Sequence, residues 1–353
     1  MIERLQNIIR QCGGSISYSD YMEEALYGED SGYYMKNRAK IGKKGDFYTA
    51  SNHSDFFARH FARLFSEWTK GSGIPPYFCE IGGGTGAFAK AFLNALPEFD
   101  VRLDSMISLE KSSYHSSLQE ALKMEQLREL NQLPEGYKGV IFSNELYDAF
   151  PVDVIQKKNG TLWEVRVALD NAGKLKEKMV PLSNPLIKDY LTWLNLSLKE
   201  GYRYEVPLHM LSFMEKINAK TDSAIIIMID YGYYNEELMN EVHKEGSLRG
   251  YYQHVMVNDP LMHPYNMDLT VHIHFDAYKK KAEEKGWEIL YEGRQNDFLW
   301  KTGFADYLID CSGQDPFSIE SRHNRAISSL LAGNGLSQAF HVFIHGKNLT
   351  VPI

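Results

Sequence analysis

The chain has 353 residues, room for one large domain or two ordinary ones at about 150 residues each. Apolar residues make up 44% and charged residues 24%, a globular balance that excludes a disordered or collagen-like chain. With 38 Lys+Arg against 46 Asp+Glu, the net charge of −8 gives no general attraction to nucleic acid or anionic lipid. Cys12, Cys79 and Cys311 are too few and too scattered for a disulfide framework or a zinc site, so a reducing compartment, the cytoplasm, is expected. The first residues mix Glu3, Arg4 and Arg10 into their apolar positions, unlike a secretory signal. The longest aliphatic run, Ala224–Ile229, is far short of the ~20 residues that span a bilayer.

Residues 1–76 read as a helical N-terminal cap. Asp20 and Glu23 suggest a capping box, Met22, Ala25 and Leu26 share one face, and Gly28 is a stop. A second helix, capped by Ser54, carries the stripe Phe57, Phe61, Leu64, Phe65 and Trp68 and ends at Gly71-Ser72-Gly73 before Pro75-Pro76. From Tyr77 the pattern alternates: strand Tyr77–Ile81, a glycine loop, helix Ala87–Leu96, strand Ser105–Glu110, helix Ser112–Glu129, strand Gly139–Ser143. Ala224–Ile229 has the composition of a central parallel strand covered on both faces, and Ala339–Ile344 is the last strand. This order predicts an α/β doubly wound sheet over residues 77–150 and 221–353. Residues 151–220 interrupt it as an insertion on the substrate side. There Asn159-Gly160 marks a hairpin, and a helix begins at Asn184-Pro185 and stops at Gly201. Residues 246–275 read as irregular, rich in Tyr and His.

Glu80-Ile81-Gly82-Gly83-Gly84-Thr85-Gly86 follows a strand and opens a helix, the context in which glycines let the backbone approach a ligand. Glu110, at the end of the next strand, stands where an acid takes a ribose diol. The loop also satisfies the dinucleotide pattern through Gly82, Gly84 and Ala87, which keeps an NAD(P)/FAD oxidoreductase in play. Glu80 separates the two: a carboxylate beside the turn repels a pyrophosphate and attracts the ammonium and sulfonium of S-adenosylmethionine (SAM), worth roughly 3–4 kcal/mol before solvation. After the next strand, Asn144, Glu145 and Asp148 should face the donor methyl. In a helical turn Glu145 and Asp148 share a face and can hold a guanidinium; otherwise these residues cap a short helix.

These motifs resemble the MidA-like family of class I SAM-dependent methyltransferases. The match runs through Tyr21-Met22, Gly32-Tyr33-Tyr34, Gly45-Asp46-Phe47-Tyr48-Thr49, Asn144–Val152, Asp230-Tyr231-Gly232, Gly246-Ser247-Leu248-Arg249, Asp259-Pro260-Leu261 and Asp268-Leu269-Thr270. The family includes mitochondrial proteins that dimethylate an arginine of a respiratory complex I subunit. The resemblance implies a Rossmann-like methyltransferase fold, SAM as cofactor, and a protein substrate presenting an arginine. It implies SAM contacts from Glu80, Gly82, Gly84, Gly86, Glu110, Asn144, Asp46 and Thr49. It implies catalytic carboxylates Glu145 and Asp148, and acceptor contacts from Asp230, Tyr231 and Arg249. The chain departs from the family pattern at Ala50-Ser51-Asn52-His53, at His274 and over Ala332–Gln338. His272 and His274 would share a strand face, but with no cysteine nearby and no H-E-x-x-H they read as structural, and no metal is expected. A module that binds SAM without turnover is the competing reading.

Overall fold

The computed structural model describes residues 2–29, 31–38, 40, 55–311, 315, 317–333, 336–349 and 351. Two compact units emerge. The first takes Met1–Phe47, Tyr147–Glu215 and Gly232–Lys281; the second takes Tyr48–Leu146, Lys216–Tyr231 and Ala282–Ile353. The strands in chain order are β1 Ser15–Ser17, β2 Tyr77–Ile81, β3 Ser105–Leu109, β4 Glu125–Leu127, β5 Tyr137–Asn144 and β6 Asp153–Lys158. There follow β7 Thr161–Leu169, β8 Leu175–Pro181, β9 Arg203–Val206, β10 Thr221–Tyr233 and β11 Arg249–Tyr252. The last are β12 Val255–Val257, β13 Asp268–Thr270, β14 Ile273–His274, β15 Trp287–Arg294 and β16 Phe340–Lys347.

In the second unit the sheet runs β4-β3-β2-β5-β10-β16-β15. From β4 to β10 every pairing is parallel; β16 alone runs against its neighbours, antiparallel to both β10 and β15. Ala224–Ile229 lies between β5 and β16. Its alternate residues Ile225, Ile227 and Ile229 join one core with Phe57, Phe61, Phe65 and Trp68 of the helix Asp55–Ser72 and with Phe88 and Phe92 of the helix Ala87–Ala95. Ile226, Met228, Cys79 and Ile141 point the other way and are equally buried, as a doubly covered sheet requires. The long helix expected over Ser112–Glu129 is instead a short one, Ser113–Gln119, capped by Ser112. It ends through a 3-10 turn at Lys123, φ 53, and residues Glu125–Leu127 add β4 to the edge of the sheet. An apolar spacing without a glycine stop reads as one helix; edge pairing decides otherwise.

In the first unit β1, β7, β6 and β9 form an antiparallel sheet, with β8 also pairing β7. The Asn159-Gly160 hairpin forms as expected, with both residues left-handed (φ 53 and 72), the backbone of a type I′ turn. Asn184 caps the helix Pro185–Trp193, but the helix ends there, and Gly201 (φ 82) serves the turn before β9. The N-terminal box also shifts: Ser17 caps the helix Tyr18–Tyr27 with Asp20 as its partner, and Gly28 closes it. Ser54 lies outside the described residues. The stretch 246–275 contains order that its composition concealed, a three-stranded antiparallel sheet β12-β11-β13. Leu5, Ile9, Tyr21, Met22, Val154, Val165 and Leu269 share a single core, so the N-terminal helices pack with these strands. The helices within residues 1–76 are thus divided, Ile2–Gln11 and Tyr18–Tyr27 falling in the first unit and Asp55–Ser72 in the second.

Candidate methyl-donor site

The glycine loop follows β2 between the ends of β3 and β5, all within the second unit: the Gly82 N–H donates to the Leu109 carbonyl at 2.9 Å. Gly82 is left-handed (φ 72), and a Cβ on it would sit 2.9 Å from the Leu146 side chain. Gly86 caps the helix Ala87–Ala95 in the same conformation (φ 75), and a Cβ there would be 2.8 Å from Gln119. Both positions therefore exclude larger residues on conformational and steric grounds. Gln119, which sequence reasoning missed, pins the loop: its amide donates to the Gly84 carbonyl at 2.7 Å, and its carbonyl accepts from the Ser108 hydroxyl. No local pattern marks it; only the pairing of β3 with β2 brings its helix to the loop.

Glu110 is 7% exposed and receives two backbone N–H groups, Gly84 at 3.0 Å and Ser112 at 2.8 Å. Each carboxylate oxygen has two lone pairs, and these bonds use one on each.

Glu80 is 3% exposed and stands against Gly83, where a Cβ would come within 2.8 Å of its carboxyl. Its Oε2 has no hydrogen-bond partner among the described residues. Burial, and then the charge of Glu110, push its pKa up to about 8. The sequence argument took Glu80 as ionised. Here it keeps its proton at neutral pH until a positive charge arrives, because low dielectric penalises an uncompensated carboxylate. The buried oxygen and its latent charge fit a cationic ligand.

Asn144 ends β5 with its amide on Glu145 Oε1 at 3.1 Å and its Oδ1 buried without a partner among the described residues. Glu145 is left-handed (φ 52) and its N–H donates to the Ile229 carbonyl at 2.9 Å, so the chain turns sharply at the strand end. The helical turn begins only afterwards, a single 3-10 turn Tyr147–Ala149. The shared helical face expected for Glu145 and Asp148 is therefore absent. Glu145 stands before the turn and Asp148 in it, and the two fall in different compact units. Asp230 is fully buried at the end of the parallel stretch and accepts the Tyr231 N–H at 2.9 Å. The Tyr231 ring packs edge-on to Phe340 at 5.5 Å. Arg249 lies in the first unit, and among the described residues its guanidinium meets His272 rather than a carboxylate. Its guanidinium lies 3.0 Å from His272 Nε2, and burial, then the Arg249 charge, hold that imidazole neutral with its pKa lowered to about 3. His272 stacks on Tyr233 and His274 lies against Tyr204. Among the described residues no group of three metal-ligating side chains is present. Asp46 and Thr49 lie outside the described residues.

A parallel sheet reversed only at its next-to-last strand, with its ligand loop at the first crossover and acids behind and beside it, is the class I methyltransferase arrangement. The chain belongs to the family of S-adenosyl-L-methionine-dependent methyltransferases, whose model matches residues 57–292, in line with the MidA-like motifs. It is 28% identical to the mitochondrial protein arginine methyltransferase NDUFAF7 homologue of Drosophila melanogaster, over 77% of this chain and 68% of that one. With the mitochondrial protein arginine methyltransferase NDUFAF7 of Mus musculus it shares 26% identity over 94% and 80%. A Burkholderia thailandensis protein crystallised with S-adenosyl-homocysteine superposes with a TM-score of 0.91 at 27% identity, covering 100% of this chain and 93% of that one.

Proposed function

We propose that this methyltransferase modifies an arginine nitrogen on a protein substrate. The relatives of this chain named as protein arginine methyltransferases support the acceptor. One observation carries the donor side: the Oε2 of Glu80, buried behind the glycine turn and without a partner among the described residues. Glu80 and the Gly82–Gly86 turn would hold the methionine end of SAM, Glu110 its ribose hydroxyls, and Asn144 a further polar group. SAM supplies a methyl group on a sulfonium, ready for displacement by a nucleophile.

The chain's own task is then to orient the acceptor and take up its proton. A guanidinium is protonated at neutral pH, so the attacking nitrogen needs an acceptor for that proton and a charge that localises the cation. Glu145, carried on a left-handed residue at the end of β5, is the acid we assign to this step. The three scattered cysteines suit a reducing compartment, and we place the protein in the cytoplasm.

Calorimetry with SAM and with NAD tests the donor, and binding of NAD alone would remove the reading. For the acceptor, labelled SAM is incubated with lysate of a strain lacking the gene, and labelled protein is hydrolysed to amino acids. Methylarginine is expected with the wild type. Glu145→Gln should abolish it while SAM affinity stays within about tenfold, or 1.4 kcal/mol. Label confined to other products would overturn the arginine assignment.

A further inference from the structure

The short helix Ser113–Gln119 is fastened to the sheet by polar pairs rather than by an apolar stripe; its buried residues are His115, Ser116 and Gln119. Strand register sets Glu80, Ser108 and Gln126 side by side across β2, β3 and β4, so their side chains leave the sheet on one face. The helix meets that face. Its Ser116 hydroxyl donates to Gln126 Oε1, the Gln126 amide returns a bond to the Ser116 carbonyl at 3.0 Å, and the Ser108 hydroxyl donates to Gln119 Oε1. Ser108, Ser116 and Gln119 are all buried, so a helix rotated out of this position would lose these bonds without water to replace them. The Ser108 bond occupies Oε1 of Gln119, and Nε2 faces the glycine loop, donating to the Gly84 carbonyl at 2.7 Å. That carbonyl shares a peptide unit with the Thr85 N–H. The described chain has no cis peptide bond, and in a trans unit the two groups point opposite ways. With the carbonyl tied to Gln119, the Thr85 N–H is turned away from the helix Ser113–Gln119. The other loop donors are used within the chain: the Gly84 N–H goes to Glu110 at 3.0 Å and the Gly86 N–H to the Gly83 carbonyl at 2.9 Å. The Thr85 N–H has no acceptor among the described residues. Every residue in this arrangement belongs to the second unit.

We propose that Gln119 is a positioning residue for the methyl donor: by holding the Gly84 carbonyl on its own side, it presents the Thr85 N–H to bound SAM on the other. This rests on the assignment of the Gly82–Gly86 turn to the donor. Gln119 itself touches no ligand. It sets the angle of one peptide plane, and Ser108 sets the orientation of Gln119. An N–H fixed before binding costs no ordering when the ligand arrives. Gly86 completes the arrangement, since a Cβ there would meet the Gln119 side chain at 2.8 Å and displace the amide.

The test is calorimetric titration of the full chain with S-adenosylhomocysteine, with the melting temperature of the ligand-free protein measured alongside. Gln119→Leu removes the donor at similar volume and should weaken binding about tenfold at every pH. Gln119→Glu is the conservative variant. Protonated, its carboxyl keeps one O–H donor for the Gly84 carbonyl and an oxygen for Ser108; ionised, it only accepts and sets its charge against that carbonyl. It should bind within about threefold of wild type at pH 5.5 and weaken to about the level of Gln119→Leu by pH 9. A side chain that only filled space would lower the melting temperature in both variants and leave the folded protein's affinity at the wild-type level at either pH. That result overturns the proposal, as does Gln119→Glu binding no better than Gln119→Leu at pH 5.5. If neither Gln119 variant folds, Ser108→Ala decides: it releases the amide and should weaken S-adenosylhomocysteine about threefold, and unchanged affinity overturns the proposal. Glu110→Ala separates the proposal from the donor assignment beneath it. Loss of affinity there, with wild-type affinity in the Gln119 variants, sinks the role of Gln119 alone; unchanged affinity in all of them takes the donor away from the loop.

Discussion

Two buried glutamates differ in how far the chain itself answers them. Glu205, on β9 of the first unit, is 1% exposed, and Glu80, on β2 of the second, is 3% exposed. Glu205 is answered by the chain itself: it accepts from the Ser247 N–H at 3.0 Å, the Leu248 N–H at 3.3 Å and the Ser247 hydroxyl at 3.2 Å. Gly246 makes room for it, since a Cβ there would fall 2.1 Å from the carboxylate. Ser247 Oγ in turn accepts the His272 N–H at 3.1 Å, so one carboxylate anchors the loop that sets β11 beside β13. Among the described residues Glu80 has no such answer on its Oε2. Equal burial with unequal satisfaction separates an acid spent on folding from one whose oxygen the described residues leave unanswered, the basis of the donor role proposed for Glu80.

The comparison breaks most readily at Glu205. Glu205→Ala should cost about 2–4 kcal/mol of folding stability, because three donors lose their acceptor in a buried place. Denaturant unfolding should show it, while any SAM binding by the remaining folded protein keeps its affinity. A loss near zero would mean the loop is held by something else. Glu110→Ala comes next. SAM affinity should fall by about 1–3 kcal/mol through loss of a charged acceptor beside the turn. Unchanged calorimetric affinity in a folded variant would take Glu110 out of the donor site.

The smallest effect, at Glu80, sharpens the comparison through pH. Its pKa lies near 8 in the folded protein against an ordinary value of 4.5. Its contribution to stability is therefore complete below the ordinary value and lost as pH rises through about 8. Glu80→Gln should raise the melting temperature of the ligand-free protein, more at pH 9 than at pH 5. In the wild type at pH 7, SAM binding should release a proton, seen as a binding heat that follows the ionisation heat of the buffer. The variant should release none and should weaken SAM over adenosine by roughly tenfold, about 1.4 kcal/mol. A pH-independent melting difference with no proton release would show Glu80 to be an ordinary structural acid.

The candidate donor loop was legible as a structural unit because its signals are local. The Gly82–Gly86 turn, Glu80 before it and Glu110 closing the next strand occupy fixed offsets in a strand–turn–helix unit, and the Asn159-Gly160 turn needs only its own left-handed backbone. The acceptor side resisted the same treatment. Glu145 and Asp148 are three apart, yet the left-handed backbone at Glu145 removes them from a common helical face. Residues 246–275 conceal three short strands because pairing β11 with both β12 and β13, rather than any periodicity, makes them strands. Gln119 under the glycine loop and the Tyr34–Asp268 bond join residues far apart in the chain, and no spacing announces them.

The sequence by itself determined the α/β class, the cofactor and the strand–glycine turn–helix unit, since backbone preference and hydrophobic period act over a few residues. Tertiary structure decided which charges exist. Burial and the nearby Glu110 charge turn Glu80 from a fixed anion into an acid that holds its proton near neutral pH. Strand register sends Arg249 to His272 and sets Asp268 and Thr270 on one polar face. Desolvation and register depend on atoms brought together from distant parts of the chain, and those distances arise only when it folds.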